Sequence, residues 1–574
     1  MKRIHTLFIS LLIFVVINAQ DYQYTKTDSI VFKALEDEMN RSLNNLQQND
    51  DPKPFYLSYT LSDIKSFNTS ASFGAKEYSE FDHNRDWSLR LIVGNYKIND
   101  ENYVRSNRLP EKQTNRIALP LDDDYNGIRR SFWVATDAVY KRAAANYLDK
   151  IKTIKENNLP DSVLIDDFSI EEKVVKVIPW DSIHMDKKYY DKLVLECSGL
   201  FNKYPEIYNG NVRVSITNAL SYFVNTEGSK VQVPNNLFNL FISATLQTKD
   251  GKYLPASISY SAIRNQDIPH KDTIVADIQL LINHLKDLEK AEIYTDSYSG
   301  PVLISGSKTG DLLKNEFFEG TKSLIGSRNP LYSKFDGSMQ YGNVDNTYAK
   351  KIAKKIGKTD LSLSIKPTLT EYNNVGLIGS YFIDAEGVVP DDELTLVEEG
   401  KLLAILNDRT PNEYIKNSTG NKRFFISGLN VSKQISPGNM FVTSKSELSN
   451  SDLKMKLIKL AKEEGLDYAI IYKPIKKGAN SYPNAYYKID VESGEEQLIS
   501  SAFFSNNRVD LIKNIESFSN NEAVYNLLGS KQGRGGLSQV SYIGPESVLF
   551  KYYNVQGKKQ ALTNTIPPVP APIE

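Results

Sequence analysis

Residues 299–317 read SGPVLISGSKTGDLLKNEF, and this stretch carries the most information about the chain. Its apolar run is followed by a segment with two carboxylates three residues apart, Glu316 and Glu319. On an α-helix such a pair lies on one face. The two carboxylates could therefore hold a divalent ion or act in acid–base catalysis. They could equally form a solvated helix edge beside Lys314 and Lys322.

The size and composition are typical of a globular protein with more than one domain. Its 574 residues exceed what one hydrophobic core usually organises, so two to three domains are expected. The apolar fraction of 40% and the charged fraction of 24% are ordinary values. The formal net charge of −1 provides no basic surface field, which argues against a nucleic-acid partner.

The N-terminus has the pattern of a secretory signal peptide, predicted at residues 1–19. A basic start precedes an apolar run at residues 7–17, which is shorter than the roughly 20 residues that a membrane span needs. Small residues then predict cleavage between Ala19 and Gln20. We therefore expect an exported protein, periplasmic or extracellular, whose mature chain has no membrane span.

Hydrophobic periodicity predicts an α+β fold and divides the rest of the chain into four parts. Residues 20–168 are predicted to form an N-terminal α/β domain, and residues 169–292 a middle α+β region. Residues 293–550 are predicted to form a strand-rich C-terminal domain. Residues 551–574 form a proline-rich tail, which is expected to be extended where its prolines cluster.

The pattern also locates individual elements. Helical spacing of apolar residues predicts helices at residues 27–46, 129–156, 185–201, 274–288 and 452–463. Alternating or continuous apolar runs predict strands at residues 56–61, 87–93, 173–178, 212–216, 221–225, 240–246 and 467–473.

Four sequence blocks, in this order, resemble the TldD/PmbA family of metallopeptidase-related proteins. They are YFVNTEG at 222–228, GPVLI at 300–304, IDAEG at 383–387 and NSTGN at 417–421. The second block is similar to the strand that enters the family's metal helix. The third, together with the residues up to 402, is similar to its central C-terminal hairpin. The order and spacing of the four blocks agree with the family's pattern over residues 169–475, about half of the chain.

The resemblance implies an N-terminal α/β domain and a strand-rich C-terminal domain that assemble as homodimers or heterodimers. In zinc-bearing members a His-Glu-x-x-x-His helix holds the metal, and these members cut peptides inside an enclosed chamber. PmbA-like partners have no metal but complete the chamber. This chain is identified as a divergent, exported relative that lacks the zinc motif and matches the second kind better.

Neither alignment of the metal motif supplies an imidazole here. If Glu316 is aligned with the general base, Asn315 and Gly320 stand at the two histidine positions. Without that one-residue gap, Lys314 and Glu319 stand there instead. Hydrolytic zinc needs three protein ligands and an open position for water, and a protonated lysine is a poor ligand. Glu316 is then a remnant of the general base, and no cofactor is predicted.

Other metal-ligating residue types do not compensate for the missing motif. The mature chain has these histidines, none at a metal-helix spacing: His83, His184, His270 and His284. The glycine-rich segment at 529–536 has no cysteine, although zinc-bearing relatives carry a cysteine ligand in the comparable stretch. Cys197 is the only cysteine, and its helical surroundings predict a buried, small apolar side chain.

Three functions are compatible with this sequence. The first is a metal-free, non-catalytic partner that dimerises, with itself or with a zinc-bearing TldD-like paralogue, and encloses or presents a peptide substrate. The second is an active peptidase with a non-standard site, built from Glu316, Glu319 and His270. The third is a periplasmic peptide-binding protein that uses the same enclosed cavity without catalysis.

Overall fold

The computed structural model describes residues 25–47, 50–105, 117–159, 164–248, 251–319, 323–332, 348–357, 360–505, 511–530 and 537–557. Three of the predictions fall outside these residues. They concern the signal peptide with its cleavage site at Ala19 and Gln20, the aligned position Gly320, and the proline cluster at 567–572.

The α-helices of the described chain are α1 (Lys26–Asn45), α2 (Tyr125–Glu156), α3 (Lys187–Gly199), α4 (Lys271–Lys290), α5 (Ser307–Lys314), α6 (Asn450–Glu463) and α7 (Leu511–Asn514). All five predicted helices are present, with ends that differ by up to four residues. Each of those five begins at a side chain that accepts a hydrogen bond from a backbone N–H of the first turn: Thr25, Asp124, Asp186, His270 and Ser449. Among the described helices, none combines the length and the hydrophobicity of a transmembrane segment.

The strands of the N-terminal half are β1 (Pro54–Ser72), β2 (Ala75–Val93), β3 (Tyr103–Val104), β4 (Val175–Val177), β5 (Ile207–Asn225), β6 (Lys230–Gln247) and β7 (Tyr253–Ala262). Six of them form the first sheet, in the order β2-β1-β5-β6-β4, with β7 also paired to β6. The two strands predicted at 212–216 and 221–225 are parts of the single strand β5.

Strands from both sides of residue 168 pair directly. β1 is antiparallel to β2 along one edge and to β5 along the other, and Phe67 faces both Phe81 and Ile216 in register. The predicted division at residue 168 stays a prediction about domains. Backbone hydrogen bonds nevertheless join the segments on its two sides into one sheet.

The remaining strands are β8 (Glu292–Ile293), β9 (Ser297–Ser305), β10 (Leu331–Tyr332), β11 (Leu361–Ile365), β12 (Glu371–Tyr372), β13 (Val375–Gly376), β14 (Leu394–Glu398), β15 (Lys401–Leu402), β16 (Lys422–Ser427), β17 (Asn430–Ile435), β18 (Asn439–Ser444), β19 (Glu447–Leu448), β20 (Tyr468–Pro474), β21 (Asn484–Asp490), β22 (Glu496–Ser500), β23 (Ala502–Phe504), β24 (Ile515–Ser519), β25 (Glu522–Ser530), β26 (Leu537–Pro545) and β27 (Ser547–Gly557). The second sheet has the order β15-β14-β11-β18-β26-β25. The third has the order β19-β24-β27-β9-β20-β21-β22-β8, with β23 paired to β27.

One face of the first sheet carries α1 to α4. Buried side chains at alternate positions of β5, from Val212 to Val224, point to this face. Towards one end they pack with α3 and α4, and towards the other with α1 and α2. Two hydrophobic cores therefore lie side by side on the same face of one sheet.

The opposite face of the first sheet packs against the C-terminal half, and we call this contact the seam. Ile64 and Ala219 contact Ile426 of the β16–β17 hairpin, while Phe223 packs with Ile383. The IDAEG block lies in the seam as a turn rather than as a strand. The hairpin that the sequence predicts there occurs further on, where β14 pairs with β15.

The largest hydrophobic core lies between the second and third sheets, and α5 is part of it. Leu313 of α5 and the following Phe317 pack in this core together with Val302 of β9 and Tyr542 of β26. Helices on one face of the first sheet and a helix between two further sheets make the fold α+β, as predicted.

Candidate functional site

The segment aligned with the family's metal helix is described as far as residue 319 and begins at Lys314, the last residue of α5. A glycine sets the entry to α5. Gly306 has φ 80°, and a Cβ there would lie 2.7 Å from Cγ of Pro474, so another residue would be strained. The hydroxyl of Thr309 donates to the carbonyl oxygens of Ile304 at 3.2 Å and of Glu546 at 3.1 Å. These bonds hold the first turn of α5 to the neighbouring strand ends.

The backbone changes its helical type after Lys314. α5 ends there, and residues Asn315–Glu319 form a π-helical turn. A π turn closes hydrogen bonds between residues five apart, so positions five apart come onto one side. Lys314 and Glu319 have that spacing, and their Nζ and Oε1 atoms lie 3.4 Å apart.

The Lys314 ammonium is buried among carboxylates and backbone. Its side chain is 3% exposed, and Nζ also lies 3.6 Å from Oδ1 of Asp311. Nζ approaches the backbone of Gly529 in β25 so closely that a Cβ there would lie 2.6 Å from it. In the ungapped alignment Lys314 stands at the first histidine position. A buried positive charge therefore takes the place of a metal ligand.

The two glutamates of this segment act on different side chains. Glu316 is half-buried and lies towards β27, where its charge adds to the effect of burial, which raises the pKa of Tyr553 to about 12. Glu319 lies towards Lys314 and β25 of the second sheet. Asn315 is exposed. Glu319 is therefore engaged by the ammonium of Lys314, whereas Glu316 acts on the phenol of Tyr553.

His270 lies on another element. It begins α4, which packs on the first sheet, and its imidazole is 78% exposed and lies 3.2 Å from a carboxylate oxygen of Asp272. Within the described ranges, no three His, Cys, Asp or Glu side chains are grouped so that they could hold a metal ion. Since an ammonium stands at the aligned position, the residues present do not fit the zinc that the resemblance implies.

The space beside Lys314 is small. A cavity of about 20 Å³ lies between Lys314, Phe318 and Glu319 on one side and β17, β26 and the residues that follow β17 on the other. A single water needs roughly 10–15 Å³ by this measure. As the described residues bound it, this cavity has room for about one water and is too small for a peptide.

A second polar cluster, the seam network, was not predicted from the sequence. One carboxylate oxygen of Glu386 accepts hydrogen bonds from Nη1 of Arg90 at 2.6 Å and from Nζ of Lys422 at 3.1 Å. Its other oxygen accepts the backbone N–H of Arg409 at 3.0 Å, and Lys422 also pairs with Asp408 at 2.8 Å. These five residues link the first sheet to the C-terminal half.

Arg409 extends the seam network to the turn after β5. Its guanidinium donates two hydrogen bonds to the carboxylate of Glu227, at 2.6 and 2.7 Å, and lies 4.0 Å from the ring centroid of Phe168. The side chain is only 1% exposed. Such a bidentate, stacked arrangement needs the planar guanidinium and fixes the orientation of both partners.

Burial and the neighbouring charges of the seam network shift the pKa values of Glu386 and of the nearby Asp384. Burial disfavours the charged form of Glu386, but Lys422 and Arg90 outweigh it and hold its pKa below the ordinary value. For Asp384 burial dominates, and the nearby charge of Glu386 adds to it, so its pKa is raised. Oδ1 of Asp384 accepts the backbone N–H groups of Glu386 and Val388, which shapes the IDAEG turn.

The sequence pointed to part of this network only. The IDAEG block contains Asp384 and Glu386, but nothing in its local pattern indicates their partners. Arg90 lies 296 residues before Glu386, in β2 of the first sheet, whereas Glu386 lies in a turn. A search for acidic residues flanked by turn residues would find Asp384 and Glu386. It would not find Arg90, which reaches Glu386 only because distant segments of the chain pack together.

Comparison with solved structures identifies the fold. A proposed modulator of DNA gyrase from Thermotoga maritima superposes with a TM-score of 0.55 at 15% identity, covering 91% of this chain and 100% of that one. TldE from Thermococcus kodakarensis gives 0.52 at 12% identity, covering 91% of this chain and 100% of that one. A proposed modulator of DNA gyrase from Bacteroides thetaiotaomicron gives 0.52 at 12%, covering 93% and 100%.

These likenesses concern structure alone. No family model matches the sequence, and no curated protein matches it. The three solved structures are covered over their whole length, so the likeness includes the first sheet as well as the C-terminal half. The chain therefore has a TldD/PmbA-like fold, as the four sequence blocks predict.

Proposed function

We propose that this chain is an exported, metal-free protein of TldD/PmbA type that does not cut peptides itself. It would pair with a zinc-bearing paralogue and enclose or present the peptide substrate. The observation that supports the proposal is the ion pair between the buried ammonium of Lys314 and the carboxylate of Glu319, in the segment that aligns with the metal helix.

Electrostatics supports the metal-free part of the proposal. At about 4 Å and an effective dielectric constant of about 20, a single and a double positive charge repel each other by roughly 8 kcal/mol. A divalent ion beside Lys314 would meet such a repulsion. The same ammonium also engages the carboxylate of Glu319, so that this group is not free to act as a ligand.

The metal content of the purified mature chain tests this part. After incubation with zinc and desalting, we expect the wild-type protein to retain far less than one zinc per chain. The matched control is the triple variant Lys314→His/Asn315→Glu/Glu319→His, which restores the motif in the ungapped alignment and should retain more zinc than the wild type. Stoichiometric zinc in the wild-type chain would overturn the proposal.

Peptide turnover separates the proposal from the peptidase alternative. The chain alone is expected to leave a mixed peptide library intact. Cleavage that a chelator abolishes would indicate a zinc enzyme. Cleavage that Glu316→Gln abolishes and a chelator does not would indicate the non-standard peptidase. Either result would contradict a non-catalytic role.

Exposed apolar side chains on α2 support a protein partner. Trp133 is 48% exposed, Val134 43% and Leu148 50%, and their spacing places them on one side of the helix. Aromatic and large apolar side chains of this kind are enriched where proteins contact each other. We expect co-expression with a zinc-bearing paralogue to give a complex that Trp133→Glu weakens. A monomer under all conditions would refute pairing.

Export is tested by the N-terminus of the protein made in its host. Mass spectrometry is expected to find a chain that begins at Gln20, in the periplasmic or extracellular fraction. An intact chain beginning at Met1 in the cytoplasmic fraction would refute export and leave the metal question unaffected.

A further inference from the structure

A cavity of about 250 Å³ lies in the seam, between the first sheet and the C-terminal half. Its wall is largely apolar, with side chains from both halves: Val233, Pro234, Ile378, Phe382, Ile383 and Phe424. The volume is slightly below the roughly 300 Å³ at which pockets for drug-sized ligands begin. A ligand that fills it would therefore be compact.

Arg423 brings a positive charge to this apolar wall. The residue is only 5% exposed, and its Nη1 donates a hydrogen bond to the carbonyl oxygen of Gln539 at 2.6 Å. The guanidinium lies over the ring of Tyr381, 4.7 Å from its centroid. Asp181 also lines the cavity, but the described residues place no carboxylate within ion-pair distance of Arg423.

The other buried arginines differ in this respect. Arg85 pairs with Asp63 and Asp123, and Arg409 pairs with Glu227. A buried guanidinium is normally matched by a carboxylate, because an uncompensated charge in a protein interior is costly. Among the buried arginines of the described chain, Arg423 is thus the one whose counter-charge is missing.

The guanidinium nevertheless remains charged at neutral pH. Burial lowers the pKa of Arg423, to about 10, and the nearby Tyr381 acts in the opposite direction. An anion that entered the cavity would offset the unfavourable burial. It would also accept hydrogen bonds from donors of the guanidinium that Gln539 does not use.

We propose that this cavity binds a carboxylate attached to a compact apolar group, with Arg423 as the residue that recognises the carboxylate. The apolar wall takes the hydrocarbon part. Two sources share this chemistry, namely a small organic acid and the last residue of a peptide with an apolar side chain. The proposal does not depend on the absence of zinc, so it and the proposed function can fail separately.

Calorimetric titration of the full mature chain tests the proposal with matched probes. 3-Phenylpropionate is compared with 3-phenylpropionamide, which has nearly the same shape but no charge. The tripeptide Gly-Gly-Phe with a free carboxylate is compared with its amide. We expect each acid to bind at least about tenfold more tightly than its amide, which corresponds to about 1.4 kcal/mol.

Two arginine variants complete the experiment. Arg423→Met is expected to abolish the preference for the acids. Arg264→Met is the control, because Arg264 lines the same cavity but is already paired with Asp267 and Glu371, and it should leave the preference intact. If Arg423→Met does not fold, Arg423→Lys should reduce the preference.

Each outcome decides a specific point. Equal binding of acid and amide by the wild type, or no binding of any probe, would overturn the proposal without any variant. A preference that survives in Arg423→Met would overturn the role of Arg423. Tighter binding of the tripeptide than of 3-phenylpropionate would identify a peptide end as the ligand, and the reverse would identify a small acid.

Discussion

The ammonium of Lys314 and the carboxylate of Glu319 lie 3.4 Å apart across one π-helical turn. In a regular α-helix, residues five apart do not face each other. The π turn makes the pair possible, and the pair gives a counter-charge to the ammonium of Lys314, whose side chain is 3% exposed. A segment that resembles a metal helix thus has a packing function of its own.

Removing the Lys314 charge is expected to destabilise the fold moderately. In Lys314→Met the partners Glu319 and Asp311 lose their counter-charge, but they are 25% and 39% exposed and can be hydrated. We therefore expect a loss of about 1–3 kcal/mol, at or below the 3–5 kcal/mol typical of a fully buried pair. Urea denaturation measures it.

Coupling distinguishes an ion pair from simple loss of packing. The double variant Lys314→Met/Glu319→Gln is expected to be less destabilised than the sum of the single variants, by about 0.5–3 kcal/mol. Strict additivity would show that the two side chains do not interact in solution.

The raised pKa of Asp100 predicts that the stability of the protein depends on pH. Its carboxylate accepts the backbone N–H of Val93 at 2.7 Å, and burial raises its pKa to about 7. Because the folded pKa exceeds the unfolded value of 3.8, the folded state binds more protons in between, and stability falls as pH rises from about 4 to about 7. The loss from this group is at most about 4 kcal/mol.

The variant Asp100→Asn isolates that contribution. The amide oxygen can still accept the Val93 N–H, while the titrating group is gone. Relative to the wild type, the variant is expected to gain stability progressively between pH 4 and pH 7. Thermal unfolding at a series of pH values measures the difference. A difference that does not change with pH would contradict the raised pKa.

Arg409→Lys is expected to weaken the seam by about 2–4 kcal/mol, the range for losing charge-assisted hydrogen bonds in a largely buried ion pair. A lysine cannot make the two parallel hydrogen bonds to Glu227 or stack on Phe168 as a planar group. Hydrogen exchange at the seam and urea denaturation measure the effect. As a control, Lys33→Ala removes the exposed Lys33–Asp37 pair and should leave stability nearly unchanged, because exposed ion pairs contribute little. Equal effects of the two variants would contradict the structural role of Arg409.

Cys197 is expected to be unreactive in the folded protein. The side chain is fully buried, as the sequence predicts, and burial raises the pKa of its thiol to about 11. The thiolate is the reactive species, so both access and ionisation are suppressed. A colorimetric thiol reagent at pH 8 should report almost no free thiol in the native chain and one per chain in guanidinium chloride. Rapid native labelling would contradict the burial.

The helices and the identity of the fold could be predicted because their signals are local or ordered along the chain. α1 and α2 have apolar stripes of helical period and begin at Thr25 and Asp124, which satisfy free N–H groups. The four blocks between residues 222 and 421 occur in the same order as in the TldD/PmbA family, and this order was enough to predict the fold. The missing histidines are likewise visible in residues 314–320 without any coordinates.

Only the tertiary structure shows which partners the buried charged side chains have. Glu316 and Glu319 look like a pair in sequence, yet across the π turn the carboxylate of Glu319 lies beside the ammonium of Lys314. Arg90 reaches Glu386 across 296 residues, and Arg423 lines a largely apolar cavity in which no carboxylate of the described residues lies within ion-pair distance of its guanidinium. The physical reason is that helical periodicity and capping act within a few residues. The partner of a buried charge, in contrast, depends on which distant strands pair and in what register.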